Sequence, residues 1–452
     1  MRSSRQRGRD SARPQTDRRE MPMPWNASVA RPYAFALACL ALVVGVARAE
    51  TAVLPRTLAG PVVPHGTAVP IGGALAYDND AVWSRLVEAA GGTGSRWVVL
   101  ATASGDPEAS AARIVAALRR HGAVAEHVAV APKLPGIDLE AAVRDPRWLE
   151  RVRAARGVYF AGGAQERIVD TLLPNGRPTP LLEAIREVQR GGGVIAGTSA
   201  GAAVMSEVMF RDATDVLAVL KGRLRPGVEI DRGLGFVGPS LFVDQHFLKR
   251  GRIGRLLALM AAQGYALGLG VDEDTATLVQ GDEVEVIGRR GALVADLSRA
   301  TIDHPGGALR IRGARLAYLE PGDRMNLRTR AVVPSAAKQA GRRLEPGRPD
   351  FAPYYDAAPF YGDVLAEGAL VGAMTRIVDG RDPVVTGLAW DGRATPAAPP
   401  ADLGFEFRFA RDADTVGWYT GALGGEAYTI ANVLLDVVPV RIARPTWRPW
   451  TR

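Results

Sequence analysis

The sequence predicts an α/β fold: a parallel sheet covered by helices on both faces, followed by a β-rich C-terminal extension. Two observations predict it. Short apolar runs rich in Val and Ile alternate with segments of helical spacing from residue 68 to beyond residue 260, which is how a parallel sheet with helical crossovers reads. Near residue 300 this gives way to alternating apolar and polar stretches divided by proline-rich segments at 346–359 and 396–400, which reads as strands and loops.

The elements follow in order. AVPIGGALAYDND ends an apolar stretch at Gly72-Gly73, and a helical pattern covers 81–90. RWVVLATAS (96–104) is a buried type of strand, and DPEASAARIVAALRRHG places Ile114, Val115 and Leu118 on one helix face before the stop at Gly122. AVAEHVAVAP is a further strand, GVYFAGG (157–163) runs into a glycine turn, and TPLLEAIREVQRGGG is an amphipathic helix with a glycine stop. VIAGTSAG then repeats the strand-to-turn pattern. Ligands of open α/β sheets bind beyond the carboxyl ends of the strands. Gly72-Gly73, Gly162-Gly163 and Thr198-Ser199 all fall at that edge. The alternation predicts a hydrolase-like α/β domain over 50–304 and the extension over 305–452, with no internal repeat.

Composition excludes little but localises the charge. The chain has 452 residues, 47% hydrophobic and 23% charged, as for an ordinary globular protein. Its net charge of +8 sits mostly in residues 1–49, where nine arginines face Asp10, Asp17 and Glu20. What remains is too small to argue for a nucleic-acid partner. The arginines precede an apolar run from Tyr33 to Val46 and an Ala47-Arg48-Ala49 motif. This predicts a signal peptide cleaved after Ala49, a secreted protein (extracellular or periplasmic) and no stable membrane anchor afterwards. The run is short for a bilayer span. Cys39, the only cysteine, lies inside it, so the mature chain would have neither disulfides nor cysteine-bound metal.

Gly197-Thr198-Ser199-Ala200-Gly201 fits the G-x-S-x-G pattern, in which a sharp strand-to-helix turn lifts a serine hydroxyl into the open. The backbone N–H of Ala200, at the helix start, is placed to receive an oxyanion. A nucleophilic serine needs a base. Of the five histidines, His121 and His127 read as a helix cap and a structural strand residue, and His65 and His304 lie in loops. His246 ends an apolar strand and stands before a helix, which favours it. Arg250, Arg252 and Arg255 follow, an arrangement suited to a carboxylate. Asp272, Glu273 and Asp274, after another apolar strand, are candidates to orient the histidine.

FAGGAQERI, GTSAGAAVMS, DQHFLKRGRIGRLL and GLGVDEDTATLV resemble, in order, the signature blocks of the cyanophycinases, serine hydrolases of peptidase family S51 with a fold like the class I glutamine amidotransferases. The resemblance covers roughly 68–300. It implies Ser199 as nucleophile, His246 as base and Glu273 as acid, with Glu229 and Asp231 as candidates if the acid lies between serine and histidine. It also implies Gly163 and Ala200 as the oxyanion hole, and Gln165, Asp244, Gln245, Arg250, Arg252 and Arg255 around the substrate. The implied reaction is release of β-Asp-Arg dipeptides from cyanophycin, an arginine-bearing polyaspartate, with no metal or cofactor and with a homodimer as the default assembly. Other aspartyl or isoaspartyl peptides are the alternative substrates, and a non-catalytic polymer-binding protein is the non-enzymatic alternative. Ala164 stands where the family often has a polar residue.

Overall fold

The computed structural model describes residues 60–392 and 401–443. The expected leader (1–49) and the proline-rich stretch 396–400 lie outside the described residues. All described residues belong to one compact unit, Ala52–Arg452.

The first sheet is built on β1 (Val63–Ile71), β2 (Arg96–Leu100), β3 (Val124–His127), β4 (Gly157–Phe160) and β5 (Val194–Thr198), parallel in the order β1-β5-β4-β2-β3. The inner strands β2, β4 and β5 bury both faces, which is why they read as apolar runs rather than alternations. Trp97 and Val99 pack with Trp83, Leu86, Ile114 and Leu118 of the helices Asp80–Ala89 and Pro107–Arg120. Val98 and Leu100 face Leu181, Leu182 and Ile185 of the helix Pro180–Arg190. Caps start the helices where the sequence places them. Asp106 accepts from Ala109 N–H ahead of Pro107, and Thr179 accepts from Leu182 N–H ahead of Pro180.

A two-stranded ribbon, β6 (Val208–Phe210) with β7 (Ile230–Arg232), precedes a second sheet. Its first two strands, β8 (Leu241–Asp244) and β9 (Leu267–Val271), are parallel. The chain then returns to the first sheet, where β10 (Thr275–Gly281) runs antiparallel to β1 and β11 (Glu283–Gly288) pairs with β10. It crosses back as β12 (Ala292–Asp296), antiparallel to β9, and after β13 (Thr301–Asp303) continues as β14 (Arg310–Leu319) beside β12. Val416–Thr420 and Leu403–Ala410 flank the long strand Ala427–Arg441, itself paired to β14.

This corrects one expectation. The strands leading to His246 and to the three acids belong to the second sheet, not to that of Ser199. Only Asp272–Asp274 separate β9 from β10, far too few residues for a helical crossover. The chain therefore turns a corner between the two sheets, and the acids sit on that corner. The region after residue 304 contains, besides its strands, a helix over Ala369–Val378 whose short apolar stretch was not legible among the alternating segments.

Candidate active site

Ser199 sits between β5 and the short helix Ala200–Ala203, with φ 53° and ψ −107°. Such a backbone is strained for a residue with a side chain and survives only where its surroundings enforce it. Ser199 N–H is bonded to Ile71 C=O at 3.0 Å, and the two flanking glycines are needed for packing. A Cβ on Gly197 would strike the backbone of Gly201, and one on Gly201 would strike Phe160 C=O. The bend therefore needs small residues, and it also presents the hydroxyl.

Ser199 Oγ lies 2.8 Å from His246 Nε2, and His246 Nδ1 lies 2.6 Å from Glu273 Oε1. A carboxylate only accepts, so Nδ1–H donates to Glu273, leaving Nε2 to accept from the serine hydroxyl. His246, at φ 47°, donates its N–H to Gly72 C=O. Burial holds the imidazole below its ordinary pKa of 6.5; the charges of Arg250 and Arg252 push the same way, against the hydrogen bond to Glu273. The ring is thus neutral at neutral pH, the form that can take a proton from serine.

The corner explains why one acid of three reaches the ring. Asp272, buried, accepts from Lys249 N–H at 2.9 Å and so anchors the turn after His246. Asp274, at φ 53°, accepts from Ala76 N–H and from the Asn79 amide, both at 2.9 Å, tying down residues 76–79. Glu273, between them, points at His246. Gly72 and Gly73 clasp the corner from β1: Gly72 N–H donates to Thr275 C=O and Asp274 N–H to Gly73 C=O. Gly73 has φ 106°, and a Cβ there would overlap the His246 ring. Gly73→Ala is expected to displace the imidazole and lower kcat by about a hundredfold or more, the cost of misplacing a reacting group by about 1 Å. Steady-state kinetics with a folding control by circular dichroism would measure it.

The other residues singled out by sequence divide. Gly163, at φ 141°, packs so closely on Ala103 that a Cβ would meet its carbonyl, and the neighbouring Gly162 lies against Ser199. Among the described residues no backbone acceptor takes the Gly163 N–H, and Ala200, first in its helix, has none within it. Two N–H groups thus flank the serine without a backbone acceptor among the described residues. Ala164 donates its N–H to Ala103 C=O, which pins the Gly163 turn by backbone alone. The Gln165 amide donates to Phe210 and Arg211 carbonyls at 2.9 and 3.0 Å.

Arg255 and Arg252 are buried and paired inside the protein, which corrects the expectation that they stand around the substrate. Arg255 is buried, bonded to Asp244 through two nitrogens and to Ala213 C=O, with its guanidinium over the Phe210 ring. Buried Arg252 donates to Gln245 C=O at 2.6 Å and lies 3.6 Å from Asp244. A buried charge is retained only when paired, and these pairs brace the segment that carries His246. Arg250 is exposed. Gln245 is buried, and its Oε1 has no hydrogen-bond partner among the described residues. Glu229 is locked to Arg225 and Arg223, whose hydrogen bonds hold its carboxyl well below the usual range, and Asp231 pairs with Arg211. Neither is bonded to His246.

A cavity of about 260 Å³ opens beside Ser199 and His246, lined by Leu75, Tyr77, Trp83, Ile114, Tyr159 and Thr198 among others. The sequence places Thr198 at the ligand edge, but the others are not read from it as lining a site, because Trp83 and Ile114 lie at ordinary core spacing on their helices and nothing local marks them.

The model of peptidase family S51 matches residues 72–287. The chain is 32% identical over 257 residues to a protein named cyanophycinase from Geminocystis herdmanii, covering 55% of this chain and 88% of that one. The chain belongs to peptidase family S51. The chain is also 37% identical over 191 residues to a protein named cyanophycinase from Trichormus variabilis, a match covering 41% of the chain and 61% of that relative's length. A crystal structure of a peptidase from an acI-B1 actinobacterium is similar at 22% identity and a TM-score of 0.42, over 58% of this chain and 97% of that one.

Proposed function

We propose that this S51 peptidase is a secreted serine-type cyanophycinase, releasing β-Asp-Arg dipeptides from cyanophycin through an acyl-enzyme. The observation that carries the reading is the hydrogen-bonded series Ser199–His246–Glu273, at 2.8 and 2.6 Å, beside a cavity. Ser199 Oγ attacks a backbone carbonyl carbon while His246 Nε2 takes the hydroxyl proton. The resulting oxyanion is received by the N–H groups of Gly163 and Ala200, and Glu273 balances the imidazolium. His246 returns the proton to the leaving amine. Water then attacks the ester, His246 again acting as base, and the dipeptide leaves. The substrate rests on likeness to proteins named cyanophycinase, and export rests on the arginine-flanked apolar run before Ala49.

The burial of Arg252 and Arg255 bears on the second reading. With those two arginines paired internally, Arg250 alone is left to favour an anionic polymer over a short aspartyl peptide. The test therefore sets the two against each other. The purified protein, with no metal added, is given insoluble cyanophycin or a β-aspartyl dipeptide. Release of β-Asp-Arg from the polymer is the expected result. Cleavage of the dipeptide alone would favour the general exopeptidase, and cleavage of neither would favour the non-catalytic binder.

The charge near His246 makes a pH prediction. The acid limb of kcat/KM is expected below pH 6.5, because activity requires neutral His246 and its pKa is lowered. Arg250→Gln removes a charge that disfavours the imidazolium, so the His246 pKa rises and the limb moves to higher pH. The position of the limb, rather than its height, is the readout.

A further inference from the structure

The cavity beside Ser199 has a lining that the triad does not use. Tyr77, Trp83 and Tyr159 form a column, with ring centroids 6.1 and 5.6 Å apart and planes within 13° and 20° of parallel. Trp83 and Tyr159 are almost wholly buried, whereas Tyr77 is 40% exposed. With Trp83 against one face of Tyr77, the opposite face is the one available to a ligand. No Asp or Glu lines the cavity, and its one ionisable nitrogen base is His246. Thr198 Oγ1 also lines it, buried beside the Tyr159 hydroxyl, which acts on it as a hydrogen-bond neighbour.

Tyr77 is held firmly. Asp274 accepts from Ala76 N–H and the Asn79 amide, Trp83 Nε1–H donates to Ala76 C=O, and Arg120 donates to Tyr77 C=O. The corner that supplies Glu273 therefore also fixes this aromatic face, and a face fixed in advance loses little entropy when a ligand settles on it. A planar cation is drawn to an aromatic face, and a guanidinium is such a cation. Resting on the cyanophycinase reading, the structure assigns this column as the seat of the substrate's arginine guanidinium, with Tyr77 as the residue that sets preference for arginine. Recognition is by an aromatic face and not by a carboxylate. The positive charge that His246 acquires in the reaction is met by Glu273 at 2.6 Å.

Two measurements on the full chain test this. In the first, kcat/KM is compared for a soluble β-Asp-Arg oligomer and for its citrulline counterpart, which has the same shape without the charge. The wild type is expected to favour arginine, and Tyr77→Ala to lose roughly 3- to 30-fold of that preference through KM, while Tyr77→Phe keeps the wild-type ratio. An unchanged ratio in Tyr77→Ala, or no preference in the wild type, overturns the assignment. In the second, arginine amide and citrulline amide are titrated into the protein while tryptophan fluorescence is followed. Arginine amide alone is expected to change the signal, and Trp83→Phe to abolish that change. An equal response to both amides, no response, or a change that survives in Trp83→Phe overturns the assignment. This measurement needs no turnover. If cyanophycin is not cleaved yet arginine amide gives the Trp83-dependent signal, the cyanophycinase reading fails and the cation seat stands.

Discussion

Ser199→Ala is expected to lower turnover by about ten-thousandfold to a millionfold, as removal of a nucleophile from a serine triad does. The bond lost is the 2.8 Å link to His246, worth about 1 kcal/mol to the fold. The positive φ of residue 199 is imposed by Ile71, Gly197 and Gly201 and is equally demanding of alanine. The variant should therefore melt close to the wild type, and it should retain substrate binding, because the cavity lining is untouched. A product assay beside a thermal melt measures both. Wild-type turnover would exclude Ser199 as nucleophile, and a collapsed melt would show that the residue matters to the fold instead.

A chain ended at His304 is expected to lose both solubility and activity. The α/β pattern of the sequence ends near that residue, but the second sheet does not. Ala292–Asp296 of β12 pair residue for residue with Arg315–Leu319 of β14 and, on their other side, with β9, whose end leads to Glu273. Phe242, Phe247, Leu256 and Leu293 share one core with Phe405, Phe407, Phe409, Ile430 and Leu435. Removing the second group uncovers several large apolar side chains, each worth about 1.5–3 kcal/mol when buried, against a folding margin of about 5–15 kcal/mol. It also leaves β12 as an open, apolar edge. Gly251, in the segment after His246, has its Cα facing Leu365 C=O closely enough to exclude a Cβ, and it loses that neighbour. Loss of soluble expression or of a cooperative melt is the expected outcome. A soluble, active fragment would show instead that β8 and β9 hold His246 and Glu273 without the extension.

Much of the first sheet was legible because its signals are local. A five-residue apolar run, a proline behind an aspartate or threonine cap, and a terminal glycine each act over one turn or one strand, so β2, β4, β5 and their helices fall where periodicity puts them. The sharp turn at Ser199 was legible for the same reason: two glycines and a serine in five residues describe a bend that few other sequences tolerate. The aromatic column was not legible. Tyr77, Trp83 and Tyr159 come from a loop, a helix and a strand, and only packing stacks them.

The sequence by itself determined the alternating strands and helices, the strained serine turn and a short choice of partners for it. Tertiary structure decided which partners serve. Among three consecutive acids, Glu273 meets His246 because a three-residue corner between two sheets turns its neighbours toward Lys249 and toward residues 76–79. Among three arginines, Arg252 and Arg255 are drawn inward because Asp244 is buried and needs a counter-charge. Both outcomes depend on neighbours distant in the chain, and periodicity, which reports only a residue's own element, does not reach that far.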